Sequence, residues 1–277
     1  MKYLLLLALT VAAPGVYAQT VTGICTDLSG NPIEYVTIGI QGAATETISS
    51  HQGRFSLHIP DSLKQNSLLF SHLSFETGVY PIERLTAEQN PANLHIGLSR
   101  RDFQIATVEV RHSALKTINL NSRGTRMPGL TVNYDFENFG HNIGQVIELP
   151  RKSLIRELDF SVNNSFEKLV IRVSLYGVKD SDVPGKAQLV PLIRSPRYVE
   201  ISNSGKMQGH SVDFRDEAVE AEGPLYVRLE LVEKAGSGTL LFPAYSGTEK
   251  YFINLHTGRT DKFPIGIGLR LRGSLLK

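Results

Sequence analysis

The chain has one cysteine and no tryptophan among its 277 residues. A single cysteine excludes an internal disulfide, so stability has to come from buried apolar surface in each domain. Cys25 lies between Ile24 and Thr26 in a strand-like segment, where it reads as a small buried side chain. A nucleophilic role would need an activating base and a cationic setting, and the neighbouring sequence supplies neither. Charge of one sign is also lacking. A formal net charge of +2 argues against a nucleic-acid partner, which demands a dense basic face. Long apolar runs are missing too: residues 4–13 form a run of about ten, short of the ~20 needed for a spanning helix. No His-Glu-x-x-His or other close histidine pair of zinc-ligand spacing occurs. Gly236-Ser237-Gly238 lacks the Gly-x-Ser-x-Gly nucleophile spacing and reads as a hairpin turn.

At the N-terminus, Lys2, the apolar run and Val16-Tyr17-Ala18 form the three parts of a secretory signal peptide over residues 1–18. Cleavage before Gln19 is expected, giving an exported chain that is periplasmic, outer-membrane-associated or secreted. Cys25 is too far from the apolar run to be an acylation cysteine. No later segment approaches a membrane span, so no transmembrane segment is expected in the mature chain. The mature length predicts two domains. Abundant glycine and few helix-period stretches favour many short strands. Charge divides unevenly: residues 19–111 hold 6 Lys+Arg against 9 Asp+Glu, and residues 112–277 hold 22 against 18.

Residues 19–111 read as a β-sandwich of seven or eight short strands. Val36, Ile38 and Ile40 alternate with Thr37 and Gly39, and Phe55, Leu57 and Ile59 alternate with Ser56 and His58. Asp27-Leu-Ser-Gly30-Asn-Pro32 is a turn, and a short helical turn is expected over residues 82–89. Gly23, Asp27, Gly30, Pro32 and Val36 at their spacing, the Gly53-x-Phe55 pair and the Leu68-Leu-Phe-Ser71 block resemble the carboxypeptidase regulatory-like domain, common in exported proteins of Bacteroidetes-type bacteria. The resemblance implies a transthyretin-like sandwich that serves as a structural or docking element. Ser74 departs from it, since the family usually has glycine before an aromatic, here Phe75. In carboxypeptidases the catalytic zinc sits in a separate domain, which this chain does not contain. The same module precedes the plug of TonB-dependent receptors, where residues 106–111 resemble the final strand, but the C-terminal remainder of this chain is too short for a membrane barrel.

Residues 112–129 read as a polar interdomain linker with a helical turn over residues 113–119, ending in Met127-Pro128-Gly129. Residues 130–277 then read as about ten strands, a jelly-roll-like β-sandwich, with an immunoglobulin-like sandwich as the alternative. In the clearest strand, Leu225, Val227, Leu229 and Leu231 form one face. Tyr226, Arg228 and Glu230 form the other, which predicts a wetted sheet surface. The Arg172-Val-x-Leu-Tyr176 strand, the Pro184-Gly-Lys186 loop and the strand over 225–231 resemble jelly-roll domains that come after this N-terminal module elsewhere.

Few residues suggest chemistry. His141 with Asp135 and Glu137 is a weak metal candidate, set against a solvated strand end. Asp213, Asp216, Glu217, Glu220 and Glu222 raise a calcium loop but lack EF-hand alternation and its central glycine. Tyr134, Tyr176, Tyr198, Tyr226, Tyr245 and Tyr251 are candidates for stacking on sugars. The expectation is therefore an all-β, non-catalytic cell-envelope protein with no catalytic residue, metal or cofactor assigned. Its expected partner is an envelope protein or a glycan. Carbohydrate binding by the second sandwich is the alternative, and an envelope hydrolase ranks below it.

Overall fold

A computed structural model of the chain describes residues 18–103, 116–120, 124–134, 142–179, 188–253 and 260–276. The leader up to residue 17, the strand expected at 106–111, the Asp135–Glu137–His141 candidate and the Pro184-Gly-Lys186 loop lie outside the described residues. The protein is all-β, built of packed sheets with one short α-helix and one 3-10 turn (Asp61–Leu63) among the described residues.

The N-terminal unit comprises β1 (Ala18–Asp27), β2 (Thr37–Ile40), β3 (Glu46–Ile48), β4 (Arg54–Pro60), β5 (Ser67–His72), β6 (Phe75–Pro81), α1 (Ile82–Glu88) and β7 (Leu94–Leu98). One sheet has the order β4-β1-β7 and the other β3-β2-β5-β6. Two-residue alternation sends Phe55, Leu57 and Ile59 inward from β4, and Val36, Ile38, Ile40, Leu68 and Phe70 meet them from the opposite sheet. Ile82 and Leu85 of α1 close one end of this core. Gly53 has φ +73°, and a Cβ there would stand 2.5 Å from the Cys25 carbonyl oxygen. Only glycine lets this turn close on β1, where the Cys25 amide donates to the Gly53 carbonyl at 2.8 Å.

The C-terminal unit comprises β8 (Ile118–Asn119), β9 (Thr125–Tyr134), β10 (Asn142–Asn164), β11 (Lys168–Lys179), β12 (Gln188–Pro191), β13 (Arg197–Ser202), β14 (Gln208–Asp213), β15 (Val219–Ala235), β16 (Leu240–Ser246), β17 (Lys250–Ile253), β18 (Thr260–Phe263) and β19 (Arg270–Leu275). The main path is β12-β11-β15-β10-β16-β9, with β13 on β11 and β14, β17 and β19 on β10. Strand β10 joins the two layers. Its first half pairs with β15, its second with β14 and β19, and its last two residues with β16. The sequence pattern suggests two strands there because Pro150, which has no N–H to give, falls in the register shift between Leu149 and Ser153.

Two expectations need correction. Residues 118–119 are a strand paired with Arg272 and Gly273, and β9 begins at Thr125, so the described part of 112–129 belongs to the C-terminal sheets. An extended segment next to an open strand edge gains backbone hydrogen bonds that a free linker would forgo. The polar face of β15 is also not wetted: Tyr226, Arg228 and Glu230 are 0%, 5% and 1% exposed. The outer face of the β3-β2-β5-β6 sheet packs on β11 and β15. Tyr35, Val170 and Val232 form a small apolar cluster across the seam, flanked by Ile48 and Tyr198.

Candidate functional site

The seam between the two sandwiches holds the densest group of buried charges among the described residues. Arg172 of β11 and Glu230 of β15 are cross-strand partners, and Arg228 sits two residues before Glu230 on the same face. Arg172 donates from Nε and Nη2 to Glu230 Oε2 at 2.9 and 2.6 Å, and Arg228 Nη2 donates to Glu230 Oε1 at 2.9 Å. Glu230 is thus clamped between two guanidiniums. Burial alone would raise its carboxyl, but Arg172 and Arg228 overcome that and hold it below the ordinary glutamate range.

The N-terminal sandwich completes the cluster. Arg172 Nη2 donates to Thr37 Oγ1 at 2.7 Å, and Nη1 donates to the Tyr35 carbonyl. The Tyr35 hydroxyl donates to Glu233 Oε2 at 2.7 Å. Tyr35 has φ +53°, the one non-glycine residue in the left-handed region among the described residues. Such a backbone costs about 1–2 kcal/mol, so contacts on both sides of the seam have to hold it.

His72, at the end of β5, is 7% exposed. Its Nδ1 accepts the Ser74 amide at 3.2 Å, which places the proton on Nε2, 3.4 Å from the Tyr198 hydroxyl. Ser74, the departure from the regulatory-like pattern, is buried, and its backbone serves to orient this ring. Burial, with Arg172, Arg100 and Arg101 nearby, pushes the imidazole down to about 3, so it is neutral. On β3, burial and the Glu230 charge push Glu46 up to about 7, against a smaller opposing pull from Arg228.

Local packing explains how β15 presents these groups. The Tyr226 ring lies over Gly144 of β10, where a Cβ would fall 2.3 Å from the ring. The Tyr226 hydroxyl then reaches Asn142 Oδ1 at 3.1 Å, an interaction that any larger residue at 144 would block.

Two hollows flank the cluster. One, of about 540 Å³, is bounded by Tyr35, Ser50, His51, Arg54, Glu233 and Lys234. The other, of about 150 Å³, lies between His72 and Arg101 on one side and Arg172, Ser174, Tyr176 and Arg228 on the other.

The candidates named from sequence are dispersed. Cys25 is buried in the N-terminal core, and burial pushes its thiol up to about 12. Tyr134, Tyr226 and Tyr251 are buried, while Tyr176, Tyr198 and Tyr245 are half-buried, so the six form no exposed aromatic platform. In the acidic run, Asp213 pairs with Arg215 at 2.5 Å, Asp216 and Glu217 with Arg197 at 2.6 and 2.9 Å, and Glu220 with Lys152 at 2.6 Å. These carboxylates are engaged with cations of the chain. Among the described residues, no group of three or more His, Cys, Asp and Glu side chains is placed to hold a metal. No described helix is long and apolar enough to cross a membrane, which says nothing of a β-barrel.

Sequence reasoning missed Arg172, Arg228 and Glu230 as a unit. The available signal was charge inside otherwise apolar strands, Arg172 between Ile171 and Val173 and Glu230 between Leu229 and Leu231.

No protein-family model matches the chain, and no curated protein matches it. A solved structure titled "Structure of infectious bursal disease virus Gx strain" is similar at 11% identity and a TM-score of 0.22, over 95% of this chain. The chain spans 61% of that structure's length, and a likeness this low supports no statement about role.

Proposed function

We propose that the protein is a non-catalytic, exported cell-envelope interaction protein, in which a carboxypeptidase regulatory-like module is fixed against a second, jelly-roll-like sandwich. The observation that carries this reading is the seam. Arg172, Glu230 and Arg228, the most deeply buried charged side chains of the described residues, are engaged with one another and with Thr37 and Tyr35. Groups clamped in that way hold two sandwiches in one relative orientation, as a docking surface that spans both would require. Export rests on the leader pattern, and the module on the glycine, aspartate and proline spacing of residues 23–36.

The glycan-binding reading ranks second, because sugar platforms use exposed aromatic faces and the six tyrosines offer none that is fully exposed. Intact-mass analysis of protein recovered from fractionated cells of the source organism tests the first reading. An envelope-fraction species beginning at Gln19 is expected; a cytosolic species retaining Met1 would overturn export. A titration of the full mature chain against a set of soluble oligosaccharides separates the two readings. Saturable heat at millimolar sugar would promote the second, and none is expected.

A further inference from the structure

The smaller hollow in the seam has an unusual wall. Three guanidiniums line it, from Arg101, Arg172 and Arg228, together with the neutral His72, and no carboxylate among the described residues does. Glu230 is shared by Arg172 and Arg228, so that trio carries one surplus positive charge. Arg228 is 5% exposed, and its Nε is buried with no hydrogen-bond partner; its contacts are the Glu230 carboxylate and the Tyr176 hydroxyl. The Nε of Arg101 is likewise buried without a hydrogen bond, with Glu76 at 3.5 Å as its nearest ion-pair partner. Glu46, which also feels Arg228, does not line this hollow. An unpaired buried guanidinium N–H loses its hydration without replacement, so the arrangement is costly as it stands.

We propose that this hollow binds a small oxyanion of the phosphate or sulfate type, gripped by Arg228 and Arg101 in the positive field of Arg172. A guanidinium matches a tetrahedral oxyanion with its N–H donors, and three guanidinium-bearing residues share this one wall. The Ser71 and Ser174 hydroxyls, also on the wall, add neutral donors. The volume of about 150 Å³ accommodates one such ion together with water. Arg101 is the most exposed of the three, at 27%. Because residues from both sandwiches contribute, bound anion would tighten the seam. This inference is independent of export and holds wherever the chain resides.

The test is calorimetric titration and thermal unfolding of the full mature chain with inorganic phosphate, sulfate and phenyl phosphate, against chloride at matched ionic strength. The expected result is a dissociation constant of about 1 mM or tighter for phosphate or sulfate, with a rise in Tm that chloride does not reproduce. Arg101→Gln should weaken binding about tenfold, read as a smaller anion-induced rise above its own Tm in chloride, which the lost hydrogen bond to the Phe75 carbonyl lowers. Arg228→Lys keeps the charge but removes the fork, and should weaken binding similarly in protein that still folds. Binding of phenyl phosphate as well as the free ions would assign the site to a phosphate or sulfate group on a larger molecule. Binding of the inorganic ions alone would assign it to the free ion. Equal Tm shifts with chloride and phosphate, or unchanged affinity in both variants, would overturn the proposal.

Discussion

The two faces of β15 are equally buried and chemically opposite. Leu225, Val227, Leu229 and Leu231 enter the core of the C-terminal sandwich, while Arg228, Glu230 and Val232 face the neighbouring sandwich and Tyr226 packs on Val178 and Tyr251 of its own. The core face needs only complementary volume, and many apolar arrangements fill it. The seam face is directional: Arg172, Glu230 and Thr37 satisfy one another in one register and few others. Apolar packing makes the sandwich stable, and a buried polar network makes the docking between sandwiches specific. Replacing such a network by apolar residues of equal volume is often neutral or stabilising, so its value lies in orientation more than in energy.

That distinction breaks first at Glu230. Glu230→Ala leaves Arg172 and Arg228 buried without a counter-charge and should cost about 3–5 kcal/mol, read as a lowered urea midpoint. Leu229→Ala, its neighbour on the other face, should cost about 3 kcal/mol through a cavity. The two variants should differ in what fails. Cys25, as the only thiol, labels with a thiol reagent only when the N-terminal core opens. With Glu230→Ala, tyrosine fluorescence should report seam opening at urea concentrations where Cys25 is still protected. Coincident transitions by both probes would show that the two sandwiches have no separate stability.

How much of this could be read from the chain divides along the same line. The apolar faces were legible because alternation alone defines them: Phe55, Leu57 and Ile59 point inward as their spacing predicts, as do Leu225 to Leu231 in steps of two. Helix α1 was legible because Pro81 precedes it and Ile82 and Leu85 fall three apart. Strand β16 was missed because Leu240-Leu-Phe-Pro243 does not alternate and proline argues against a strand. The seam was hidden for another reason. Alternation says that Tyr226, Arg228 and Glu230 share a face, but not whether water or a second sheet covers it. For Arg228 and Glu230 the position of the N-terminal sandwich decides that, for Tyr226 the packing of Val178 and Tyr251, and no local signal encodes either.

Acidity probes the seam face without touching the core face. In the folded protein Glu46 titrates at about 7, against 4.5 ordinarily, so the folded state holds more protons between those values. Its contribution to stability therefore falls as pH rises from about 4.5 to 7. His72 acts in the opposite sense: held at about 3 instead of 6.5, it makes the unfolded state take up the proton first, and stability falls as pH drops from 6.5 to 3. The two slopes oppose each other between about 4.5 and 6.5, each bounded by about 1.4 kcal/mol per pH unit. Glu46→Gln removes one of them. The variant should be about 1–2 kcal/mol more stable than the parent at pH 8 and should lose stability more steeply on acidification, read from urea midpoints across pH. Parallel pH profiles for variant and parent would show that Glu46 is solvated and that the seam is looser at β3 than its packing implies.

The smallest effect concerns the residue under backbone strain. Tyr35→Phe keeps the ring in its cluster with Val170 and Val232 and removes only the hydroxyl donated to Glu233. Glu233 is half-buried, so the loss should be about 1 kcal/mol or less. A double-mutant cycle with Glu233→Gln isolates the pair, since both changes leave the backbone hydrogen bond from Arg172 to the Tyr35 carbonyl in place. Coupling of about 0.5–1 kcal/mol would mean the hydroxyl helps hold the left-handed turn against the C-terminal sandwich. Coupling near zero would assign that task to Arg172 alone. The left-handed turn at Tyr35 would then be held by one side chain, and Arg172→Met would be expected to loosen that turn while the apolar contacts of Tyr35, Val170 and Val232 keep the seam closed.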